Sequence, residues 1–488
     1  AKTVATLPSS PMIAYVTPDG AGARDGSSWE NAFGDLQEGF DLCDAAGDLI
    51  CMKAGEYSVP QTKDLLDPSD YLLLSKPGLT IRGGYAGTGT PGARTGGATV
   101  LRRVAEAAEN PWRRVLHAVS SAVTLDSLTI ADGAVDCGTN PGNGSGLMSE
   151  NSTAIVTNCV FTGNGRQRDD SGTAYGGAIY ASGGSLAAQG CTFTNNVIEY
   201  KNSWTYIKGA AIYTTGGAAL HVSDCTFRDN FCRNIYAESF GAAVCAEENG
   251  SGTVLIERCS FSDNAIVKHK SGNSNHKPYG GTVYLKNVKD PVIRDCTIDG
   301  GYSVSPQTLG GCMYFEGANQ KAVLERISVL NTGKGADCHS GSIYLKSGTL
   351  AMTNCLFAAN GVGDAVEVAG GTFAAVNCTI VDVAKVGVSQ TSGAASLKNS
   401  VVWNCGEVTT AGAVSLDHSM TTEDPHLYPA TNKRAYHLRS ISHCIASGDA
   451  TGWSADAVDL DGLPRVRGGK IDLGCYSYNA PGFMLLLK

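Results

Sequence analysis

The sequence predicts an all-β fold: a single right-handed parallel β-helix of three-strand coils with a short N-terminal cap helix. Three observations carry this. One short phrase recurs at intervals of roughly 22 to 37 residues, which is a solenoid signature. A second, Gly-rich phrase falls between its occurrences. The parity of the apolar residues flips at one fixed place in each repeat.

The first phrase reads NCVFTGN from Asn158, GCTFTNN from Gly190, DCTFRDN from Asp224 and RCSFSDN from Arg258. It continues as DCTIDGG from Asp295 and NCLFAAN from Asn354, with weaker forms at Arg326 and Asn377. The second phrase is GGAIY at Gly176, GAAIY at Gly209 and GAAVC at Gly241, then GGTVY at Gly280, GGCMY at Gly310 and SGSIY at Ser340.

Parity gives the coil. Cys225 and Phe227 are two apart and share a strand face, while Leu220 and Val222 share a face of opposite parity. A strand does not change face without a bend. The bend falls just before the Cys, at Asn158, Gly190, Asp224, Asn354 or Asn377, which are residue types that tolerate positive φ. The second phrase supplies a third strand, with Ile179, Ile212, Val244, Val283, Met313 and Ile343 facing inward. Strands stacked about 4.8 Å apart explain why each coil repeats the same residue type at the same place.

Three ladders follow. Cys159, Cys191, Cys225, Cys259 and Cys296 stack inside, and Cys355 and Cys378 resume after Ile327. Stacked side chains point the same way and miss the disulfide torsion, so these are expected to be reduced thiols acting as small hydrophobes. The pairing of the remaining cysteines, of 17 in all, is left open. Phe161, Phe193, Phe227, Phe261 and Phe357 form a buried stack. Asn164, Asn196, Asn230, Asn264 and Asn360 form a third ladder, whose amides hydrogen-bond from coil to coil.

Composition agrees. The chain of 488 residues holds 61 Gly and only 17% charged residues, which suits many short strands and tight turns. A net charge of −9 argues against a nucleic-acid partner. No apolar run approaches the ~20 residues that span a bilayer, so no transmembrane segment is expected. Ala1 is consistent with a mature N-terminus left by processing. The chain divides into an N-terminal cap and first strands (1–60), the β-helix (61–420) and a C-terminal closing module (421–488).

The FxxN and GGAI phrases between Asn158 and Asn360 resemble the repeats of polymorphic outer-membrane proteins and related bacterial adhesins. The stretch from Tyr15 to Tyr57 resembles the opening of many secreted bacterial β-helix proteins, in which an amphipathic helix, here about Trp29–Ala45, caps the solenoid. The segment DLDGLPRVRGGKIDLGCYSY from Asp459 resembles a closing segment that precedes surface-anchoring tails; here it is followed by PGFMLLLK. These resemblances imply an extracellular or cell-surface β-helix and transfer no catalytic site.

The cysteines from Cys159 to Cys296 lie 32, 34, 34 and 37 residues apart, against 23 between Cys355 and Cys378. The extra residues always fall between the Asn ladder and the Gly-rich phrase. Coils stack in register, so these insertions are expected to build one continuous wall, and loops on a rigid scaffold are where function concentrates. The wall carries Trp204, Tyr206 and Tyr236 with Arg166, Arg168 and Arg233, a set suited to stacking on sugar rings and bonding their hydroxyls. Tyr180, Tyr213, Tyr284, Tyr314 and Tyr344 have parity opposite to the inward aliphatics and are expected to form a second, outward platform. Against both stand plain structural readings: tyrosine ladders also stabilise sheets by stacking, and charged loop residues are usually solvated.

An enzyme is the alternative. A glycoside hydrolase needs two carboxylates about 5–10 Å apart, and Asp169, Asp170, Glu199 and Glu238 lie on neighbouring insertions. A polysaccharide lyase needs a cation, a base and an acid, and Lys268, His269, His276 and Tyr279 offer those types on one loop. No metal-ligand spacing or phosphate-cradling loop is present, and no cofactor is expected. The favoured reading is a non-catalytic adhesin, glycan-binding or matrix protein, with a polysaccharide or glycan surface as partner. A structural version has rods associating end to end, the apolar segment Phe483–Leu487 pairing with the next molecule's exposed edge.

Overall fold

The computed structural model describes residues 11–43, 45–59, 72–94, 97–103, 114–134, 143–165, 173–200, 206–234, 237–250, 252–268, 277–303, 305, 308–332, 342–410 and 414–479. The protein is a right-handed parallel β-helix, and its three faces carry the residues that periodicity assigns to them. On the first face Ile179, Ile212, Val244, Val283, Met313 and Ile343 pair in sequence, all buried. On the second, Leu186, Leu220 and Val254 pair in register. On the third, Phe161, Phe193, Phe227 and Phe261 pair, followed by Ile298, Val329 and Phe357.

The four phenylalanine rings stack at 5.2, 4.7 and 4.8 Å between centroids, within 10° of parallel. Each buried ring contributes about 2 kcal/mol of hydrophobic stabilisation. The corner before the cysteine takes positive φ, as expected: 52° at Asn158, 62° at Gly190, 55° at Asp224, 52° at Asn354 and 51° at Asn377. Arg258 takes 51° there without the advantage of a short polar side chain. Its guanidinium bonds Asp224 Oδ1 at 2.8 Å and Glu257 Oε2 at 3.0 Å, which helps to hold the corner. A second left-handed corner, just before the Asn ladder, is set by Asn195, Asp229 and Asp263.

The asparagine ladder is continuous from Asn164 to Asn264. Each Nδ2 donates to the preceding coil's backbone carbonyl, as Asn230 does to Phe193 O at 2.9 Å, and those of Asn164, Asn196 and Asn230 also donate to the next asparagine's Oδ1. Gly301 interrupts it. Thr332 Oγ1 then bonds Asn360 Oδ1 at 2.6 Å.

All 15 described cysteines are unpaired thiols. They do more than fill space. The backbone N–H of Cys191 donates to Cys225 Sγ at 3.3 Å, and that of Cys259 to Cys296 Sγ at 3.4 Å. Towards the C-terminus serine takes the same slot, with Cys378 N–H donating to Ser400 Oγ and Ser400 N–H to Ser419 Oγ, both at 3.1 Å.

The N-terminal cap is shorter than expected. A 3-10 turn at Trp29–Asn31 precedes an α-helix at Leu36–Leu42, whose first turn is capped by Asp35 accepting from Gln37 N–H at 2.7 Å. Leu36 and Phe40 close the main core. The outer edge of the first strand, Ile13–Val16, is occupied: Tyr15 N–H donates to Gly26 O and Phe33 N–H to Tyr15 O. Residues 483–487 lie outside the described residues.

Residues 421–479 run as turns with one short hairpin, Val466–Arg467 against Lys470–Ile471. They lie along the flank of the last coils, where Tyr436, Cys475 and Tyr476 pack on the outward side chains Leu356, Ala358 and Val381. Three corner asparagines anchor them: Asn354, Asn377 and Asn399 donate to the carbonyls of Val458, Asp472 and Asp449 at 2.9, 2.7 and 2.8 Å.

Candidate functional site

The described residues of the insertions form two further parallel sheets that run beside the solenoid. One holds Val197–Glu199, Phe231–Asn234, Ala265–Lys268 and Tyr302–Ser303; the other holds Ala174–Tyr175, Ile207–Lys208, Ser239–Phe240 and Pro278–Tyr279. Between them sits a small core of Ile198, Tyr200, Ile207, Cys232 and Ile266 with three alanines. Strand alternation then gives the wall two outward faces.

Glu199 and Arg233 occupy one face, 3.8 Å apart, with the Arg233 guanidinium 5.2 Å from the Phe231 ring centre. Lys208, Phe240 and Tyr279 occupy the other, which covers the outward tyrosines of the solenoid. Glu238 belongs to this second face, where it accepts from Tyr279 Oη at 3.0 Å. Glu199 and Glu238 are thus on opposite faces and do not form the acid pair that their places on neighbouring insertions suggested.

The tyrosine ladder forms in register but not as a free platform. Tyr213, Tyr284 and Tyr314 are each 3% exposed and Tyr344 is 6% exposed. Parity places them outside the coil, as expected. The wall then roofs them, with Phe240 4.9 Å from Tyr284 and Tyr279 5.3 Å from Tyr314, both edge-on. Beneath this roof Tyr284, Tyr314 and Tyr344 stack at 5.1 and 5.4 Å. The accessible rings form a rim: Tyr175, Tyr180 and Tyr279 are half-buried, and Tyr206 is 47% exposed against Phe240.

Charged groups flank the same aromatic cluster. Lys208 lies between the Tyr175 and Phe240 rings, 5.0 and 5.3 Å from their centres, and ion-pairs with Glu247. Burial opposes the ammonium charge, but its anionic surroundings hold Lys208 protonated above its ordinary value. Tyr213 Oη donates to Glu247 Oε1 at 2.6 Å and Tyr314 Oη to Glu316 Oε2 at 2.9 Å. Glu367 takes the ladder position after Tyr344. Burial, with Asp364 nearby, pushes its carboxyl above the ordinary carboxylate range. Sequence reasoning missed Lys208, Glu247, Glu316 and Glu367, because only register brings them beside one aromatic cluster.

Arg166, Arg168, Asp169, Asp170, Trp204, Tyr236, His269 and His276 lie outside the described residues, as does the side chain of Lys268. Among the described residues no cluster of three or more His, Cys, Asp or Glu is arranged to hold a metal ion, and no helix is long and apolar enough to cross a membrane.

A family model described as a right handed beta helix region matches residues 249–405. Among curated proteins, the probable autotransporter YfaL of Escherichia coli (strain K12) is 27% identical over 176 residues, a match covering 33% of this chain and 12% of that protein. The chain therefore spans a small fraction of this relative's length. Among solved structures, the chain is similar to the pectate lyase Pel9A, at TM-score 0.35 and 11% identity over 96% of this chain and 97% of that one. Another is the catalytic unit of a GH87 alpha-1,3-glucanase from Streptomyces thermodiastaticus strain HF3-3, at TM-score 0.42 and 13% identity over 88% and 72%.

Proposed function

We propose that this is an extracellular or cell-surface β-helix protein that binds glycan without catalysis, as an adhesin or matrix component. Its binding groove is the accessible aromatic rim where the wall meets the outer face of the first sheet. One observation carries the reading: the rim of Tyr175, Tyr180, Tyr206 and Tyr279 rests on a buried aromatic row, which fixes the ring planes before any ligand arrives. Rings held rigid lose little entropy on binding, and the adjoining carboxylates and Lys208 supply hydroxyl partners. The partial identity to an autotransporter supports the surface location.

The test is retention in affinity electrophoresis through a panel of neutral and acidic polysaccharides. Tyr206→Ala and Tyr279→Ala are each expected to weaken retention about tenfold, or ~1.4 kcal/mol. Retention unchanged in both variants would remove the groove from the reading. The raised carboxyl of Glu367 favours the second reading, a glycoside hydrolase or polysaccharide lyase. Release of reducing ends or unsaturated product from the same panel, abolished by Glu367→Gln, would replace adhesion with catalysis.

A further inference from the structure

On the opposite side of the first sheet from the wall lies a concave, mainly polar cavity of about 720 Å³. Its origin is a mismatch in turn length. The turn between Val244–Glu247 and Thr253–Glu257 spans 248–252, and that between Met313–Glu316 and Lys321–Glu325 spans 317–320. Between them, Val283–Lys286 passes to Lys289–Arg294 through Asn287 and Val288 alone. A short turn between two longer ones leaves a notch one coil deep.

The backbone there is unusual. Asn287 and Asp290 both take positive φ, 51° and 43°. A register shift against Thr253–Leu255 inserts an extra residue just after Lys289. Bulges of this kind re-aim side chains and concentrate near functional sites. Gln320, almost wholly buried, forms the floor by accepting from Val288 N–H at 3.1 Å. Asn287 Nδ2 donates to Glu248 Oε1 at 2.7 Å, and its amide oxygen is an acceptor that a ligand hydroxyl can use. Lys289, Asp290, Asn319 and Lys321 stand exposed at the rim. Among the described residues, none of Lys289, Asp290 and Lys321 has an ion-pair partner.

We propose that this notch binds an acidic sugar unit carrying one carboxylate. The volume falls in the usual range of small-ligand sites. The Lys289 and Lys321 ammonium groups at the rim attract the single carboxylate of a monoanion, while Asp290 and the Glu248 carboxylate beside Asn287 repel a compact dianion such as phosphate. The Asn287 and Asn319 amides exchange hydrogen bonds with hydroxyls, and the Asp290 carboxylate accepts from them. No described lining residue is aromatic, so a neutral sugar gains no stacking surface. This site is separate from the aromatic groove and does not depend on it.

The test uses the full chain and titration calorimetry with N-acetylneuraminate, glucuronate, glucose and inorganic phosphate. Saturable binding of one or both acidic sugars is expected, and which of them binds more tightly identifies the source. Glucose and phosphate are expected to bind at least about tenfold more weakly. The Lys289→Ala/Lys321→Ala double variant, which changes only exposed side chains, is expected to weaken acidic-sugar binding about tenfold or more with an unchanged melting temperature. Tyr279→Ala is expected to leave it intact. Equal binding of glucose, preference for phosphate, full affinity in the double variant, or no acidic-sugar binding up to about 10 mM would each overturn the proposal.

Discussion

Asn196 Nδ2 donates to Asn230 Oδ1 at 2.9 Å, and Asn230 Nδ2 passes the same bond to Asn264 at 2.8 Å. Asn230 also accepts from the Asn196 backbone N–H at 3.2 Å, so one side chain serves three coils. Its removal leaves buried donors on Asn196 without partners and takes one of the donors from Phe193 O. Asn230→Ala is expected to destabilise the solenoid by about 3 kcal/mol, the cost of several orphaned buried groups. Urea unfolding followed by tyrosine fluorescence reads this directly. A change within ~0.5 kcal/mol would mean that water replaces the amide and that the ladder is not a source of stability.

The thiols give a second expectation. Of the 15 described cysteines, all but Cys405 are buried and none is paired. Burial pushes the Cys232 and Cys312 thiols up to about 12 and Cys405 to about 11, so thiolate is scarce at neutral pH. Ellman's reagent is expected to leave the folded protein essentially untouched, with slow reaction at Cys405. In guanidinium without reductant, at least 15 thiols per chain are expected to titrate. A lower count would reveal a disulfide at one or more of these 15 positions.

The C-terminal residues carry a pH dependence. Burial disfavours charge on His437, but Asp461 at 2.7 Å and the carbonyl of Ala435 outweigh it and raise the imidazole above its ordinary value. A histidine raised on folding stabilises most at pH below its unfolded value. That stability is lost as pH rises through the folded value. Hydrogen exchange across residues 421–479 is therefore expected to quicken, beyond the intrinsic rate, from about pH 6.5 upward. His437→Gln is expected to flatten the profile. An unchanged profile in that variant would assign the dependence to another group.

How far the sequence could be read depended on whether one strand's parity was enough. It was for the phenylalanine and asparagine ladders, since a face repeated coil after coil has one consistent interior. It was also enough for the corner at Asn158 and its equivalents, because Asn, Asp and Gly advertise positive φ. Parity did not reveal that the outward tyrosines are roofed: it reports which side of a strand a residue takes, not whether another layer covers that side. The roof itself was illegible because its strands, such as Ile207–Lys208 and Ser239–Phe240, are two residues long and show no period. Glu316 and Glu367 belong to no motif, and only the register that follows Tyr314 and Tyr344 brings them beside the aromatic cluster.

The cysteine ladder shows the same limit at one position. Volume and burial alone make cysteine a small hydrophobe, replaceable by valine. The backbone contradicts this, because Cys191 N–H, freed by the corner at Gly190, has Cys225 Sγ as its acceptor at 3.3 Å. Cys225→Val keeps the apolar volume and removes that acceptor. It is expected to cost about 1–3 kcal/mol, the penalty of one buried unsatisfied N–H. Cys225→Ser restores an acceptor of the kind that Ser400 already provides to Cys378 N–H at 3.1 Å, and it is expected to be the milder change despite its greater polarity. Thermal unfolding of the two variants ranks them. Valine outperforming serine would show that sulfur fills this slot for its apolarity, and that the N–H at each corner is satisfied without it.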